Sequence, residues 1–316
     1  MPMLTRQEYQ ELYKELATYE DIHRLQSERG LDRELLLVIY THRVSRDATR
    51  RYYTVLNHVN EMQKEWKQGK SYVDIARKWR FPPVLIAQMI EKHKNTSRRA
   101  FWDGFRRPDE ISDPRIRREV KEAMADDWVY SPRGGEIQRE RGVRGEARLH
   151  DWLDKYHIPY RTEKDLRGRF SKTPDALLGN LIGLNGRRVQ WIESKANFGD
   201  DVEIRRNVKK QLVPYVNMFG EGVVVYWYGY VRDTEELPGI QIMDGDTFEA
   251  LSPSEPPPEG AVPPPKPQEP RPEVEPLKKE EPRRREEPRR HARRHEEAQP
   301  RPARPAKRSV DRSAYF

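Results

Sequence analysis

The stretch that decides the fold runs TPDALLGNLIGLNGRRVQWIESKANFGD, from Thr173 to Asp200. Asn185-Gly186 sits inside it, between runs rich in Leu, Ile and Val. Asn-Gly is the strongest short hairpin signal, because a two-residue type I′ turn needs positive φ at both positions. The run starting near Asp175 is therefore predicted to fold back on the run ending at Lys195. Side chains alternate along a strand, so Glu193 and Lys195 share one face while Ile192 and Ser194 point the other way. The separation, 193 − 175 = 18 residues, fits two strands and a turn and sets Asp175 beside Glu193.

Two carboxylates brought together repel unless a cation lies between them, and hard oxygen ligands suit Mg²⁺. Asp175 and Glu193 are thus candidate metal ligands, and the backbone carbonyl of Ser194 supplies another oxygen. Such a metal, Mg²⁺ or Mn²⁺, activates water and neutralises charge developing on a phosphate. Lys195 is the candidate to orient or deprotonate that water and steady the transition state. A third carboxylate is expected from a helix behind the hairpin. GEARLHDWLDKYHIPY offers Glu146, with Leu149 and Leu153 on the apolar face. Gln211 and Tyr215 are four apart, share a helical face and are candidates to reach substrate or metal-bound water. Lys209 and Lys210 suit phosphate contact, and Asn197-Phe198-Gly199 with Asp200 would shape the mouth. This set reads as phosphodiester-hydrolysis machinery. Pro108-Asp109 and Glu65-Trp66-Lys67 mimic the pattern but fail on context, since the latter lies in a helical run where residues two apart diverge.

Working outward, residues 1 to about 130 read as helical. Thr5 with Glu8 is a capping box. Asp32 caps the apolar run Leu35 to Ile39, a long helix is expected from about Arg46 to Gln68, and Asp113-Pro114 starts another. Within this region Ser71 caps a short helix carrying Val73, Ile75, Ala76 and Trp79. Phe81-Pro82-Pro83 breaks it, and Val84, Ile86, Ala87 and Ile90 begin a second. The pair reads as a helix-turn-helix near 71–95, its second helix presenting Gln88, Glu91 and Lys92. From about 131 to 250, strand-like runs at 176–182, 188–194 and 222–229 alternate with helices at about 136–156 and 202–218. The expected fold class is α+β in two domains: an all-α domain over 1–130, then an α/β domain over 131–250. Residues 251–316 are Pro-, Arg- and Glu-rich and are expected to stay disordered.

Bulk composition agrees. The chain has 316 residues, 26 Pro and 35% charged side chains, and its mean hydropathy is −1.05. No apolar run is long enough to span a bilayer, so no membrane partner is expected. MPMLTRQEYQ lacks the apolar core of a signal peptide. With no Cys there is no disulfide framework and no thiolate metal site. These features suit an intracellular protein of nucleus and cytoplasm. A net charge of +8 favours a polyanionic partner, DNA first.

Thr173-Pro174-Asp175, Trp191 to Ala196, Phe198-Gly199-Asp200 and Tyr226-Trp227-Tyr228-Gly229 together resemble the codanin-interacting nuclease, or TPD, family. That family sits in the PD-(D/E)xK, restriction-endonuclease-like superfamily, akin to Holliday-junction resolvases. The resemblance implies a restriction-endonuclease-like nuclease domain with Asp175 and Glu193 as metal ligands, Lys195 catalytic and Glu146 as the helix glutamate. Gln211 to Tyr215 resembles the QxxxY element of RecB-like exonucleases, although Pro214 inside it disturbs a regular helical turn. Animal members associate with codanin, which implies a codanin-like protein partner here. Two functional readings follow. One is a metal-dependent deoxyribonuclease acting on junctions, flaps or ends, for which a homodimer would suit junction cleavage. The other is a non-catalytic scaffold binding DNA or a chromatin partner on a nuclease fold.

Overall fold

Capping residues set where the N-terminal helices of the computed structural model begin. Thr5 and Glu8 form the expected box at α1 (Arg6–Glu15). α2 (Glu20–Arg29) ends at Gly30 in the left-handed region. Asp32 accepts from the Leu35 N–H to start α3 (Arg33–Leu56). The long helix expected from Arg46 to Gln68 is instead two: α3 stops at Leu56, and α4 (Val59–Lys67) begins after Asn57-His58. Both interrupting residues are weak helix formers. Ser71 and Asp74 box α5 (Tyr72–Trp79), and Pro82-Pro83 opens α6 (Pro83–His93). α7 (Arg98–Arg106) and α8 (Pro114–Asp126) follow, the latter capped by Asp113 as expected. The structure describes residues 3–94, 96–235 and 237–258, all within the unit Met1–Pro264. The tail expected to be disordered from 251 is ordered over its first residues. Ser254 exchanges backbone hydrogen bonds with Gly183 at 2.8 and 2.9 Å, and Trp152 Nε1 donates to the Leu251 carbonyl at 3.1 Å, because these residues cover the edge of a sheet and the side of a helix. Residues 259–316 lie outside the described residues.

The two helices expected near 71–95 form as α5 and α6, but most of α6 is covered. Pro83 to Ala87, Met89 and Ile90 are all buried. Gln88 is half-buried. Glu91 accepts from the Tyr72 hydroxyl at 2.6 Å and pairs with Lys94 at 2.6 Å. Of the three expected contacts only Lys92 is exposed. A recognition helix needs one face free for base edges, whereas α6 is the centre of a helical core with Tyr72, Ile75, Phe101, Phe105 and Ala123 around it.

After α9 (Pro132–Lys155) comes a five-stranded sheet of order β1-β2-β3-β4-β5. β1 (Tyr160–Arg161) is followed by α10 (Glu163–Leu166), β2 (Ala176–Leu184) and β3 (Arg187–Lys195). α11 (Asp201–Asn207), a π turn (Val208–Leu212) and α12 (Val213–Phe219) lead to β4 (Gly222–Tyr226), β5 (Ile240–Asp244) and α13 (Gly245–Ala250). β1, β2 and β3 pair antiparallel, while β3, β4 and β5 are parallel. Asn185 and Gly186 have φ of 50° and 70°, the signs that a type I′ hairpin turn requires. β1 and β5 were not anticipated: one has two residues, and the other is buried on both faces and shows no alternation.

The hairpin carries an irregularity that decides what faces what. Near the turn Ile182 pairs with Val189, but Leu177 pairs with Trp191 and Ala176 with Ile192. From Leu177 to Ile182 β2 advances 5 residues while β3 advances 2, so β2 holds three extra residues. An odd shift exchanges the faces of a strand. One step beyond the Ala176–Ile192 pair, Asp175 therefore lies beside Glu193; unbroken pairing from the turn would have put it against Ala196.

The sheet is covered on both faces. Ala176, Ile192, Val223 and Val225 pack with Leu149 and Leu153 of α9, and Leu12, Ile22, Leu36 and Ile39 from α1 to α3 join the same core. Leu177, Trp191 and Val224 face the other way, against Ile204, Leu212 and Tyr215. Each Val, Leu or Ile among them contributes about 1.5–3 kcal/mol when fully buried. α3 bridges two cores, with Leu35 to Tyr40 in that of the sheet and Ala48, Tyr52 and Val55 in that of the bundle. The first 40 residues of the helical region thus share their core with the sheet.

Candidate active site

β3 presents Glu193 and Lys195 on the face covered by α12 and turns Ser194 toward α9, as alternation requires. Lys195 Nζ donates to Glu193 Oε1 at 2.7 Å and to Gln211 Oε1 at 2.8 Å. Glu193 is buried and Lys195 half-buried, so the charge pair is shielded from bulk water and is stronger than a surface pair would be.

Asp175 enters ahead of β2. Its N–H donates to Glu193 Oε2 at 3.3 Å, and its Oδ2 accepts from the Ser194 N–H at 2.8 Å. Burial, and after it the neighbouring Glu193 charge, push the Asp175 carboxyl up to about 7, while the Ser194 N–H and Lys195 act in the opposite direction. Glu146 adds a further repulsion.

Pro214 shapes the opposite wall. Proline has no N–H and its ring collides with the carbonyl four residues back. The helix expected over 202–218 accordingly widens at 208–212, where the Val213 N–H bonds the Val208 carbonyl five residues back. Gln211 rides this π turn toward Lys195, with exposed Lys209 and Lys210 beside it. Tyr215 lies beside the carboxylates: burial, and after it the charges of Glu193 and Asp175, push its hydroxyl pKa up, and Glu193 is within hydrogen-bond reach of it. It is buried against Trp191, and its hydroxyl donates to the Thr173 carbonyl at 2.7 Å. That bond ties Tyr215 to the loop that carries Asp175.

α9 crosses β3 at Gly145. A Cβ there would come within 2.6 Å of the Trp227 ring and 3.0 Å of Ser194 Oγ, which itself accepts from Trp227 Nε1 at 2.7 Å. The close crossing brings Glu146 toward Asp175, yet Glu146 stays exposed. Among the described residues no three His, Asp or Glu side chains are grouped to hold a metal ion. Two carboxylates converge, and the Ser194 carbonyl leaves β3 by the same edge as the N–H that meets Asp175.

The residues expected at the mouth dock α1 and α3 instead. Asn197 Oδ1 bonds His42, Phe198 stacks on Tyr9 with centroids 5.1 Å apart, and Asp200 takes the Arg46 guanidinium on both oxygens. Gly145, Trp227 and the Thr173 carbonyl were missed as site residues. A Gly directly before the helix glutamate was the readable signal for the first; the other two depend on tertiary contact.

Residues 112–246, which contain every candidate site residue, match the family described as "Protein of unknown function TPD sequence-motif". CDAN1-interacting nuclease 1 of Homo sapiens is 30% identical over 171 residues, 52% of this chain and 61% of the human protein. The Danio rerio protein of that name is 31% identical over 183 residues, 55% of this chain and 61% of its own. The Xenopus laevis one is 28% identical over 209 residues, 63% and 68% respectively. The chain thus spans about three fifths of the length of the first curated relatives it matches. No solved structure matches it. Through this segment the chain carries the TPD motif, and it is homologous to CDAN1-interacting nuclease 1 over about half its length.

Proposed function

We infer that the chain is a metal-dependent nuclease that hydrolyses phosphodiester bonds in DNA. The observation that carries this is the convergence of Asp175, Glu193, Lys195 and Gln211. Lys195 has three N–H donors. Glu193 and Gln211 take two, and among the described residues no other side chain takes the third. It is left for a phosphoryl oxygen, where a fixed cation stabilises the charge that grows in the transition state. Water adds to phosphorus, the bond to the leaving oxygen breaks, and that oxygen takes up a proton. Glu193 and Gln211 hold the ammonium so that little reorganisation accompanies the step.

The donor set fits a hard divalent cation. Asp175 and Glu193 crowd one another, and a cation relieves exactly the repulsion that raises the Asp175 carboxyl. Mg²⁺ binds through one or two carboxylates plus substrate oxygens rather than through an all-protein cage. Asp175, Glu193 and the Ser194 carbonyl would hold it, with Glu146 joining from α9. When bound, Mg²⁺ or Mn²⁺ supplies Lewis acidity and lowers the pKa of a water.

The relatives carry CDAN1 interaction in their name, and we extend a codanin-like partner to this chain as part of the same reading. The test is cleavage of labelled single-stranded, duplex, flap and four-way-junction DNA in Mg²⁺, Mn²⁺ or EDTA. Asp175→Asn and Lys195→Ala, shown to be folded by circular dichroism, run alongside. Metal-dependent cutting reduced at least 100-fold in both variants is expected. Unchanged cutting by Lys195→Ala sinks the reading, and the substrate ranking assigns junction, flap or end.

A further inference from the structure

The loop between α10 and Asp175 is anchored at both ends. Leu166 is fully buried, Gly168 turns the chain outward with φ of 80°, and the Thr173 carbonyl is held by Tyr215. Between the anchors Arg167, Arg169, Phe170 and Lys172 are exposed. Phe170 is 40% exposed. Phe219 at the end of α12 holds it edge-on, with ring centroids 4.9 Å apart and planes at 76°. Phe219 in turn lies 6.5 Å from the Tyr215 ring. The aromatic thus has an edge-on ring neighbour and lies on the loop that delivers Asp175.

A single exposed apolar side chain is ordinary. Charge sets this one apart. The side chains of Arg169 and Lys172 bond no described residue, and Arg167 has only a loose pairing with Glu163 at 3.7 Å. Cations interleaved with an aromatic ring match the alternation of phosphate and base along a strand. A duplex keeps its base faces stacked inside, so only an unpaired base can lie on such a ring.

We propose that Phe170 is a stacking platform for an unpaired base and that Arg169 and Lys172 hold the flanking phosphates. The scissile strand then enters as unpaired DNA or RNA, at a single strand, a flap or a frayed end. This rests on the nuclease reading for its purpose but not for its test. Binding of the full chain to oligo-dT, oligo-U and a blunt duplex is measured by fluorescence anisotropy in EDTA at fixed salt. Phe170→Ala should weaken both unpaired strands about tenfold and leave the duplex unchanged, while Phe170→Trp restores binding and shows quenched fluorescence on saturation. The unpaired strand held more tightly names the source. Equal binding of unpaired strands by Phe170→Ala and wild type overturns the proposal, as does an equal loss on duplex. Should wild type cut nothing while Phe170→Ala still loses unpaired strands alone, the nuclease reading falls and the stacking site stands.

Discussion

Lys195 and Gln211 meet across the gap between a strand and a π turn, Nζ to Oε1 at 2.8 Å. The contact depends on Pro214, which prevents a regular helix from continuing through Gln211. Removing one residue of π widening rotates what precedes it by about 100°. Pro214→Ala should let the helix close up and swing Gln211 away from Lys195. The expected result is a single-turnover cleavage rate lowered roughly tenfold, as in Gln211→Ala, with thermal stability unchanged or raised because proline disfavours a helix interior. Wild-type cleavage by Pro214→Ala would show that the turn is not what positions the glutamine.

The raised Asp175 carboxyl gives a pH signature. Its pKa moves from 3.8 to about 7 on folding. Between those values the folded chain keeps a proton that the unfolded chain has released, so metal-free stability falls as pH rises through the window. Above it, Asp175 is ionised beside Glu193 and a divalent cation offsets the repulsion that burial and Glu193 impose on it. Mg²⁺ should therefore raise Tm at pH 8 and have little effect at pH 5. Asp175→Asn should flatten the slope and abolish the Mg²⁺ response. Differential scanning fluorimetry reads both, and equal Mg²⁺ shifts at the two pH values would refute the assignment.

At Gly145 α9 comes close to Trp227 and to Ser194 of β3. An added methyl meets the buried Trp227 ring at 2.6 Å, with Ser194 behind it. Neither neighbour is a flexible chain end, so the helix must move. Gly145→Ala should cost about 1–3 kcal/mol, even though alanine is the better helix former. It should also lower cleavage by displacing Glu146. Chemical denaturation checks the first effect. A stabilised variant would mean that Trp227 yields more readily than its packing implies.

Local chemistry was legible in the sequence, and tertiary choice was not. Thr5, Asp32, Ser71 and Asp113 announce helix starts because a cap is made within three residues. Asn185-Gly186 announces its turn for the same reason. The nearness of Asp175 to Glu193 was expected, but spacing from the turn alone would have set Asp175 against Ala196. The three extra residues of β2 that produce it were not readable, since register is set by packing. Tyr215 was expected at the site and does lie near Glu193, but its bond to a carbonyl 42 residues away leaves no trace in a motif. α6 looked like a recognition helix because periodicity reports apolar positions but not what covers the remaining ones.

Asp127 ties the bundle to the start of α9 and supplies the last prediction. Its Oδ1 accepts from the N–H groups of Val129 and Tyr130, and its Oδ2 accepts from the Val84 N–H at 3.2 Å. Pro82 offers α6 no side-chain cap, so a residue 43 positions away does this work. Burial nevertheless dominates and pushes the carboxyl up to about 6. Between about 4 and 6 the folded chain binds a proton that the unfolded chain has lost, so stability falls as pH rises there. Asp127→Asn should remove that slope. It also turns an amide donor toward either Val84 or the Val129 and Tyr130 pair, leaving a buried N–H without an acceptor, at a cost of about 1–3 kcal/mol near pH 7. Urea unfolding across pH 4 to 8 tests both parts together. A variant with wild-type stability at pH 7 would mean that α6 gains nothing from this distant cap.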